Sequence, residues 1–248
     1  MSKFIDKLKQ LSEGAPQPLG FRTRESNAVR PKVQLVASLS SEEVPDSVSD
    51  ADAAFLCVDM PLSKDTPKEL SEKVRMPFGV CAASKSDVKA LHEAGVDFVV
   101  FPPTAALRPL ADSKLGKIIE VDPGLADTQI RTLNALAVDA VLVSYESPAT
   151  EFTWKDLMAI QRITGMINKP ILFPVPSTIS ESDLKTIWHA GVDGVVVAIT
   201  AENAADLAAL RKKIAGLEYP TAKRERATLS IARPSLEPEQ QEDEEEDE

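Results

Sequence analysis

The amino-acid sequence predicts a closed barrel of eight parallel β-strands that alternate with α-helices. Short apolar, β-rich runs recur eight times along the chain, and segments with helical periodicity follow them. These runs are apolar on both faces, as buried parallel strands should be. The predicted strands span residues 32–38, 53–59, 77–83, 96–102, 117–122, 138–144, 169–175 and 192–198. Eight such units are the number that closes a (β/α)8 barrel, the TIM-barrel architecture. The runner-up is a doubly wound open sheet, but no G-x-G-x-x-G follows the first strand.

Helical periodicity fills six of the seven crossovers between these strands, and a seventh helix follows the last strand. The predicted helices span residues 67–75, 86–95, 105–114, 126–137, 153–168, 180–191 and 203–216. The first crossover, SSEEVPDSVSDAD, is short and polar and does not predict a regular helix.

Three parts of the 248-residue chain are expected: an N-terminal helix and linker (1–31), a single barrel domain (32–217) and a basic-then-acidic tail (218–248). The first helix spaces Phe4, Ile5, Leu8 and Leu11 on one face, with lysines between them. We expect it to cap the bottom of the barrel or to pack on a partner subunit, the alternative being a membrane surface.

The net charge of −11 comes mainly from the tail. Residues 237–248 contain nine acidic groups and no basic one, and the rest of the chain has 30 acidic against 28 basic residues. Such a block of like charges predicts a disordered extension. Without a basic stripe carrying aromatic residues, nucleic-acid binding is disfavoured. No apolar run is long enough for a membrane span, and two cysteines in 248 residues favour a reducing cytoplasm.

A short motif recurs where predicted helices meet predicted strands. ALHEAGVDFVVF (90–101) resembles IWHAGVDGVVVA (187–198), and LNALAVDAVLV (133–143) is a looser copy. Gly95 and Gly191 suit the left-handed position that ends a helix. These turns lie at the N-terminal ends of strands, the bottom of a barrel, where regularity indicates stability more than chemistry. We therefore interpret three aspartates and the two histidines beside these turns as structural: Asp97, Asp139, Asp193, His92 and His189.

Candidate catalytic residues are the carboxylates at the C-terminal ends of the predicted strands, where barrel chemistry occurs. Alternation along each strand predicts that Asp59, Glu120, Asp122 and Glu146 crowd the mouth. Crowded carboxylates raise one another's pKa or hold a divalent cation such as Mg²⁺, with Glu120 and Asp122 as the candidate ligands. The alternative is that two or three of them cap helices or face water.

Hydroxyl groups at the same strand ends are candidate substrate-binding residues: Ser38, Ser40, Ser144, Ser177 and Thr200. Ser177 and Thr178 could also bind an anion at the start of the seventh helix. No histidine falls at a strand end, which disfavours a histidine-based triad or zinc site. Cys57 and Cys81 are interpreted as small core residues.

From residue 77 onwards, over roughly half the chain, the sequence resembles the small phosphate-substrate barrels. Two segments look like parts of the keto-deoxy-phosphogluconate aldolases: GVCAASKSDVKALHEAGVDFVVFPPTAAL and VDPGLADTQIRTLNALAVDAVLVSYES. A third segment looks like a unit shared with barrels such as the thiamine-phosphate synthases: KTIWHAGVDGVVVAIT. The resemblance implies an aldolase-type TIM barrel. It places the aldolases' Schiff-base lysine at Leu142, which cannot form an imine. Prolines replace the phosphate-loop glycines in the segment 173–177.

The sequence therefore leaves two functions open. One is a lyase or isomerase without a Schiff-base lysine, acting on a small oxygenated acid or sugar derivative through the mouth carboxylates. The other is a catalytically degenerate barrel that serves as a binding or assembly module. A flavin-binding barrel ranks last because the glycine-rich phosphate loop is missing. Since the resembling families commonly form dimers or trimers, we expect a homo-oligomer.

Overall fold

The computed structural model describes residues 2–12, 33–40, 46–57, 66–81, 88–111, 113–145, 152–200 and 203–217. The predicted linker and the predicted disordered tail lie outside these ranges. No helix within them is long and apolar enough to cross a membrane.

Eight parallel strands form one closed barrel in chain order, which confirms the predicted fold class. The first and last strands pair directly, from Gln34 opposite Gly194 to Leu39 opposite Ile199. The strands are β1 (Gln34–Leu39), β2 (Ala53–Leu56), β3 (Phe78–Cys81), β4 (Phe98–Phe101), β5 (Gly116–Val121), β6 (Ala140–Val143), β7 (Ile171–Pro174) and β8 (Gly194–Ile199). Each coincides with a predicted strand and extends beyond it by one residue at most.

One helix precedes the barrel and seven alternate with its strands. They are α1 (Lys3–Ser12), α2 (Thr66–Val74), α3 (Val88–Glu93), α4 (Leu107–Ala111), α5 (Asp127–Thr132), α6 (Trp154–Thr164), α7 (Glu181–His189) and α8 (Asp206–Gly216). Several are shorter than predicted. The last turn of the predicted 126–137 helix is a 3₁₀ turn, Leu133–Ala135, and the polar first crossover contains another, Asp46–Asp50.

Two apolar cores stabilise the barrel. Alternate strand residues such as Leu35, Val99 and Ile119 pack outward against the helices. The residues between them, such as Val36, Val100 and Ile118, point inward and fill the barrel interior. Period-two alternation with both faces buried is what the continuous apolar runs of the sequence indicate.

Helix α1 closes the bottom of the barrel. Phe4, Ile5 and Leu8 are buried in the interior core, and the Phe4 ring lies 4.9 Å from that of Phe98. A Cβ atom at Gly116 would stand 2.6 Å from the Ile5 side chain, so only glycine allows this close approach of helix and strand. Of the alternatives left open by the sequence, the structure therefore favours a cap on the barrel bottom.

At the bottom of the barrel, an aspartate lies directly before every second strand and forms hydrogen bonds with backbone groups. Asp139 and Asp193, before β6 and β8, each donate their N–H to the preceding strand and accept an N–H from the same strand residue on their carboxylate. Asp97, before β4, also donates its N–H to the preceding strand, at Phe78. Its carboxylate instead accepts the N–H groups of Lys3 and Phe4 and the hydroxyl of Ser2, and so anchors α1. The structural interpretation of these three aspartates is confirmed.

A fourth aspartate, Asp52 before β2, belongs to the same set. It accepts the N–H of Leu35 and forms a bidentate ion pair with Arg211 of α8. Sequence reasoning missed it because Ala51 stands where the clearer copies of the motif have valine, although an aspartate directly before a strand was a readable signal.

The recurring turns have the predicted geometry. Gly95 and Gly191 have positive φ angles of 84° and 110°, which glycine adopts without strain. Val96 and Val192 follow them, are buried, and donate their N–H groups back to the helix in the manner of a Schellman motif. The looser copy has Ala137 in place of glycine, and there the helix ends through the 3₁₀ turn.

Candidate functional site

The barrel mouth lies at the C-terminal ends of the strands, opposite α1. Glu120 points into it, because it follows the inward Ile118 by two residues along β5 and pairs with the inward Leu142 of β6. Glu120 is half-buried. Its carboxylate therefore sits at the boundary between the apolar barrel interior and the mouth.

Burial raises the pKa of the Glu120 carboxyl above its ordinary value. Among the residues that the structure describes, no side chain or backbone group forms a hydrogen bond or ion pair with it. A carboxyl group in this situation can accept or donate a proton, or bind a polar ligand, without first breaking an internal contact.

Asp122 occupies a different environment although it is only two residues away. It is exposed directly after β5, and its carboxylate accepts the backbone N–H of Gly124 at 2.7 Å. The bond shapes the turn that leads to α5. Asp122 therefore already has one backbone partner.

The predicted cation site depends on carboxylates whose positions the structure does not give, since Asp59 and Glu146 lie outside the described residues. Within the described ranges, no group of three or more His, Cys, Asp or Glu side chains could hold a metal ion. Glu120 and Asp122 alone do not complete such a group.

Three of the candidate serines lie at strand ends of the mouth. Ser38 of β1 is half-buried and pairs with Phe55 and Ala198, which places it on the inward face. Ser40 is exposed just after β1. Ser144 is exposed just after β6 and donates its N–H to Val121, so it borders the strand that carries Glu120.

The other two hydroxyl residues, Ser177 and Thr200, take part in internal contacts around the starts of α7 and α8. Ser177 donates its hydroxyl to Asp206, in the first turn of α8, at 2.9 Å. Thr200 donates its N–H to the side chain of Asn203, which in turn donates to Ala198. Sequence reasoning could not foresee the Ser177 contact, because its partner lies 29 residues away.

These contacts fill the places where phosphate-binding barrels hold an anion. The carboxylate of Asp206 stands at the start of α8, and Ser180 caps α7 by accepting the N–H of Asp183 at 3.1 Å. A side chain therefore caps α7, and the Asp206 carboxylate in the first turn of α8 disfavours an anion there by its charge.

The cysteines differ from the prediction. The sequence indicated two separate core residues, but the structure joins Cys57 and Cys81 by a disulfide at the mouth ends of β2 and β3. Pairing of Phe55 with Gly79 sets the register that brings the two cysteines face to face. Both cysteines pack against the interior core as predicted, but the prediction, which placed them on neighbouring strands, did not include a bond between them.

Sequence reasoning also missed a hydrogen-bonded group near the mouth. The hydroxyl of Tyr145 donates to Asp156, whose carboxylate also accepts the N–H and hydroxyl of Thr153, each at 2.7 Å. The T-x-x-D spacing of a capping box was the signal for it. The bond to Asp156 raises the pKa of Tyr145 to about 12. Burial favours a higher pKa for Asp156, but the bonds from Tyr145 and Thr153 outweigh it and the net shift is downward. These groups are committed to starting α6.

Leu142 occupies an inward position of β6, where the resemblance to the aldolases would place a Schiff-base lysine. It is 7% exposed and packs in the barrel interior. Among the described residues, the mouth thus presents the Glu120 carboxyl without a partner, the hydroxyls of Ser38, Ser40 and Ser144, and an apolar floor.

These features define a closed (β/α)8 barrel, and comparison with solved structures agrees. A mutant tryptophan synthase α-subunit from Pyrococcus furiosus matches with a TM-score of 0.55 and 13% identity over 73% of this chain and 96% of that one. A thiamine phosphate pyrophosphorylase from the same organism matches with a TM-score of 0.54 and 15% identity over 75% and 97%. Tryptophan synthase from M. tuberculosis matches with a TM-score of 0.54 and 16% identity over 75% and 92%.

At these identities the comparisons establish the fold alone. No protein-family model and no curated protein sequence matches the chain.

Proposed function

We propose that the protein is a lyase or isomerase that acts on a small oxygenated acid or sugar derivative, with Glu120 as its acid–base group. The observation that carries the proposal is the position of Glu120: it is inward, half-buried and without a partner among the described residues. A half-buried carboxyl without a partner among the described residues costs stability, so a role in chemistry is a reason for its presence.

The other predicted mouth residues take supporting roles in this proposal. Ser38 and Ser144 would bind substrate oxygens from opposite sides, with Ser40, Ser177 and Thr200 further out. Asp59, Asp122 and Glu146 would add charge around the substrate or hold Mg²⁺ together with Glu120. Removal of a proton next to a carbonyl fits this set, because it needs a base and an oxygen-binding group and no imine.

The chemistry would differ from that of the resembling aldolases. The buried Leu142 offers no amine for an imine. The occupied starts of α7 and α8 point to a substrate whose recognition does not depend on a phosphate at those helix ends. A carboxylate or hydroxylated carbonyl compound is the class that remains. A cytoplasmic location and a homo-oligomeric state are parts of the same proposal.

A second candidate function is a binding or assembly module without catalysis. The occupied helix ends and the disulfide across β2 and β3 favour it, because both reduce the polar groups available at the mouth. The two candidates differ in what they expect of Glu120.

A ligand screen by thermal unfolding distinguishes them. The full chain would be tested with Mg²⁺, Mn²⁺, phosphate, phosphosugars, 2-oxo acids and flavin mononucleotide. A ligand at about 100 times its Kd adds roughly 2.7 kcal/mol, which raises Tm by several degrees. The matched variants are Glu120→Gln at the mouth and Glu93→Gln, an exposed residue at the end of α3.

The enzyme proposal predicts that an oxo acid or a sugar compound raises the Tm. This rise in Tm should persist in Glu93→Gln and disappear in Glu120→Gln. If no ligand of the panel raises the Tm, the result favours the assembly module. A shift that Glu120→Gln leaves unchanged would rule out the role of Glu120.

A further inference from the structure

The two cysteines of the chain meet at the rim of the barrel interior. Cys57 directly follows β2, and Cys81 is the last residue of β3. Their Cα atoms are 4.9 Å apart. This separation lies within the range of about 4.4–6.8 Å that a disulfide spans. The spacing of the two strands is therefore compatible with a disulfide between them.

Both cysteines keep part of their surface exposed. Each is only partly buried, and each packs against the interior core through its inward side. The residues just before them, Leu56 and Val80, are buried in the outer core instead. A disulfide exposed in this way is more readily attacked by a small thiol than one enclosed in a core.

The barrel does not depend on this bond for its connectivity. Strands β2 and β3 already pair through backbone hydrogen bonds, with Ala54, Phe55 and Leu56 opposite Phe78, Gly79 and Val80. The ladder is closed around all eight strands. Breaking the bond leaves both strands held in place by their neighbours.

We propose that Cys57 and Cys81 form a reversible oxidation site whose co-reactant is a low-molecular-weight disulfide. One protein thiolate attacks the small disulfide, forms a mixed disulfide and releases one small thiol. The second cysteine then attacks the mixed disulfide, closes the Cys57–Cys81 bond and releases the second small thiol. Two protein thiols are oxidised and one small disulfide is reduced to two thiols. In a reducing compartment, protein disulfides are usually of this transient kind.

The test counts free thiols on the full, folded chain in a series of glutathione buffers. After each incubation the protein is quenched in acid, unfolded, and labelled with a maleimide carrying polyethylene glycol. The proposal predicts two labelled thiols per chain in reduced glutathione, none in oxidised glutathione, and full return when the buffer is reversed. Circular dichroism should show the same helix content in the fully reduced and in the fully oxidised glutathione buffer.

Two results would overturn the proposal. Two labelled thiols at every ratio would mean that the pair does not oxidise. No labelled thiols after incubation of the folded protein in reduced glutathione, with two after incubation of the unfolded chain in the same buffer, would mean a purely structural disulfide.

A single variant tests the intermediate. Cys57→Ser keeps one thiol, which should become a mixed disulfide with glutathione in the oxidising buffer, detectable by mass spectrometry. The double variant, Cys57→Ser with Cys81→Ser, should take no label and sets the background. A Cys81 thiol that never gains glutathione in Cys57→Ser would contradict the exchange mechanism.

Discussion

The two ends of the barrel use their acidic residues differently. At the bottom, Asp97, Asp139 and Asp193 accept backbone N–H groups, and α1 fills the opening. At the mouth, Glu120 has no partner among the described residues, although it is half-buried. Similar carboxylates thus stabilise the fold at one end and stay available at the other. The bottom carboxylates therefore stabilise the fold, whereas Glu120 is the group to which we assign a role in ligand binding.

The largest expected effect concerns the closed bottom. Phe4→Ala removes a fully buried ring that packs on Phe98 inside the barrel. We expect a loss of about 3–5 kcal/mol in the free energy of unfolding, measured by urea denaturation. Lys7→Ala, at an exposed position of the same helix, should change it by less than about 0.5 kcal/mol. Equal effects of the two substitutions would mean that α1 does not fill the barrel.

The next effect concerns the crosslink at the mouth. Reducing the Cys57–Cys81 bond, which joins residues 24 apart, should lower the free energy of unfolding by about 3 kcal/mol, because the unfolded chain gains freedom. Unfolding with and without dithiothreitol measures it. The double cysteine-to-serine variant should show no dependence on the reductant. An unchanged midpoint for the wild-type chain would contradict this prediction.

A third prediction contrasts one aspartate from each end. Asp193→Ala removes the buried acceptor of the Ile171 N–H, and we expect a loss of about 1–3 kcal/mol. Asp122→Ala removes an exposed acceptor at the mouth and should cost about 1 kcal/mol or less. Denaturant midpoints of the two variants are the measurement. A larger loss in the free energy of unfolding for Asp122→Ala than for Asp193→Ala would contradict the contrast between the mouth and the bottom of the barrel.

The smallest expected effect is a gain in stability, from substitution of Glu120 at the mouth. Because the pKa of Glu120 is raised in the folded state, its contribution to stability is full below the unfolded pKa and is lost as the pH rises through the folded pKa. Glu120→Gln mimics the protonated form. Its Tm should exceed that of the wild type at pH 7, by a few degrees at most, and the gain should vanish near pH 4. Glu93→Gln should show no such trend, and a lower Tm for Glu120→Gln at pH 7 would indicate an ion pair.

The sequence predicted the barrel well because its strands are recognisable one at a time. Each apolar run is buried on both faces, and the turns at Gly95 and Gly191 mark where strands begin. The structural role of the aspartates followed from the same repeat. The predictions of where helices end were less accurate. At Leu133, for example, a 3₁₀ turn replaces the last turn of the predicted helix.

The candidate site was harder to predict because it depends on contacts between distant residues. The bond between Ser177 and Asp206 and the pairing of Cys57 with Cys81 both require the register of neighbouring elements. Alternation correctly placed Glu120 on the inward face of its strand. It could not foresee that Asp122, just beyond the strand end, would be bonded in a turn.

The most direct test of the contrast between the two ends is the pKa of Glu120. Carbon-13 NMR of chains labelled at the glutamate carboxyl groups, with Glu120→Gln to assign the signal, measures it in the folded protein. The account predicts a pKa above the ordinary value for glutamate, as expected for a half-buried carboxyl without a partner. A pKa at or below that value would show that Glu120 is either well solvated or paired with a cation, and would contradict a free carboxyl at the mouth.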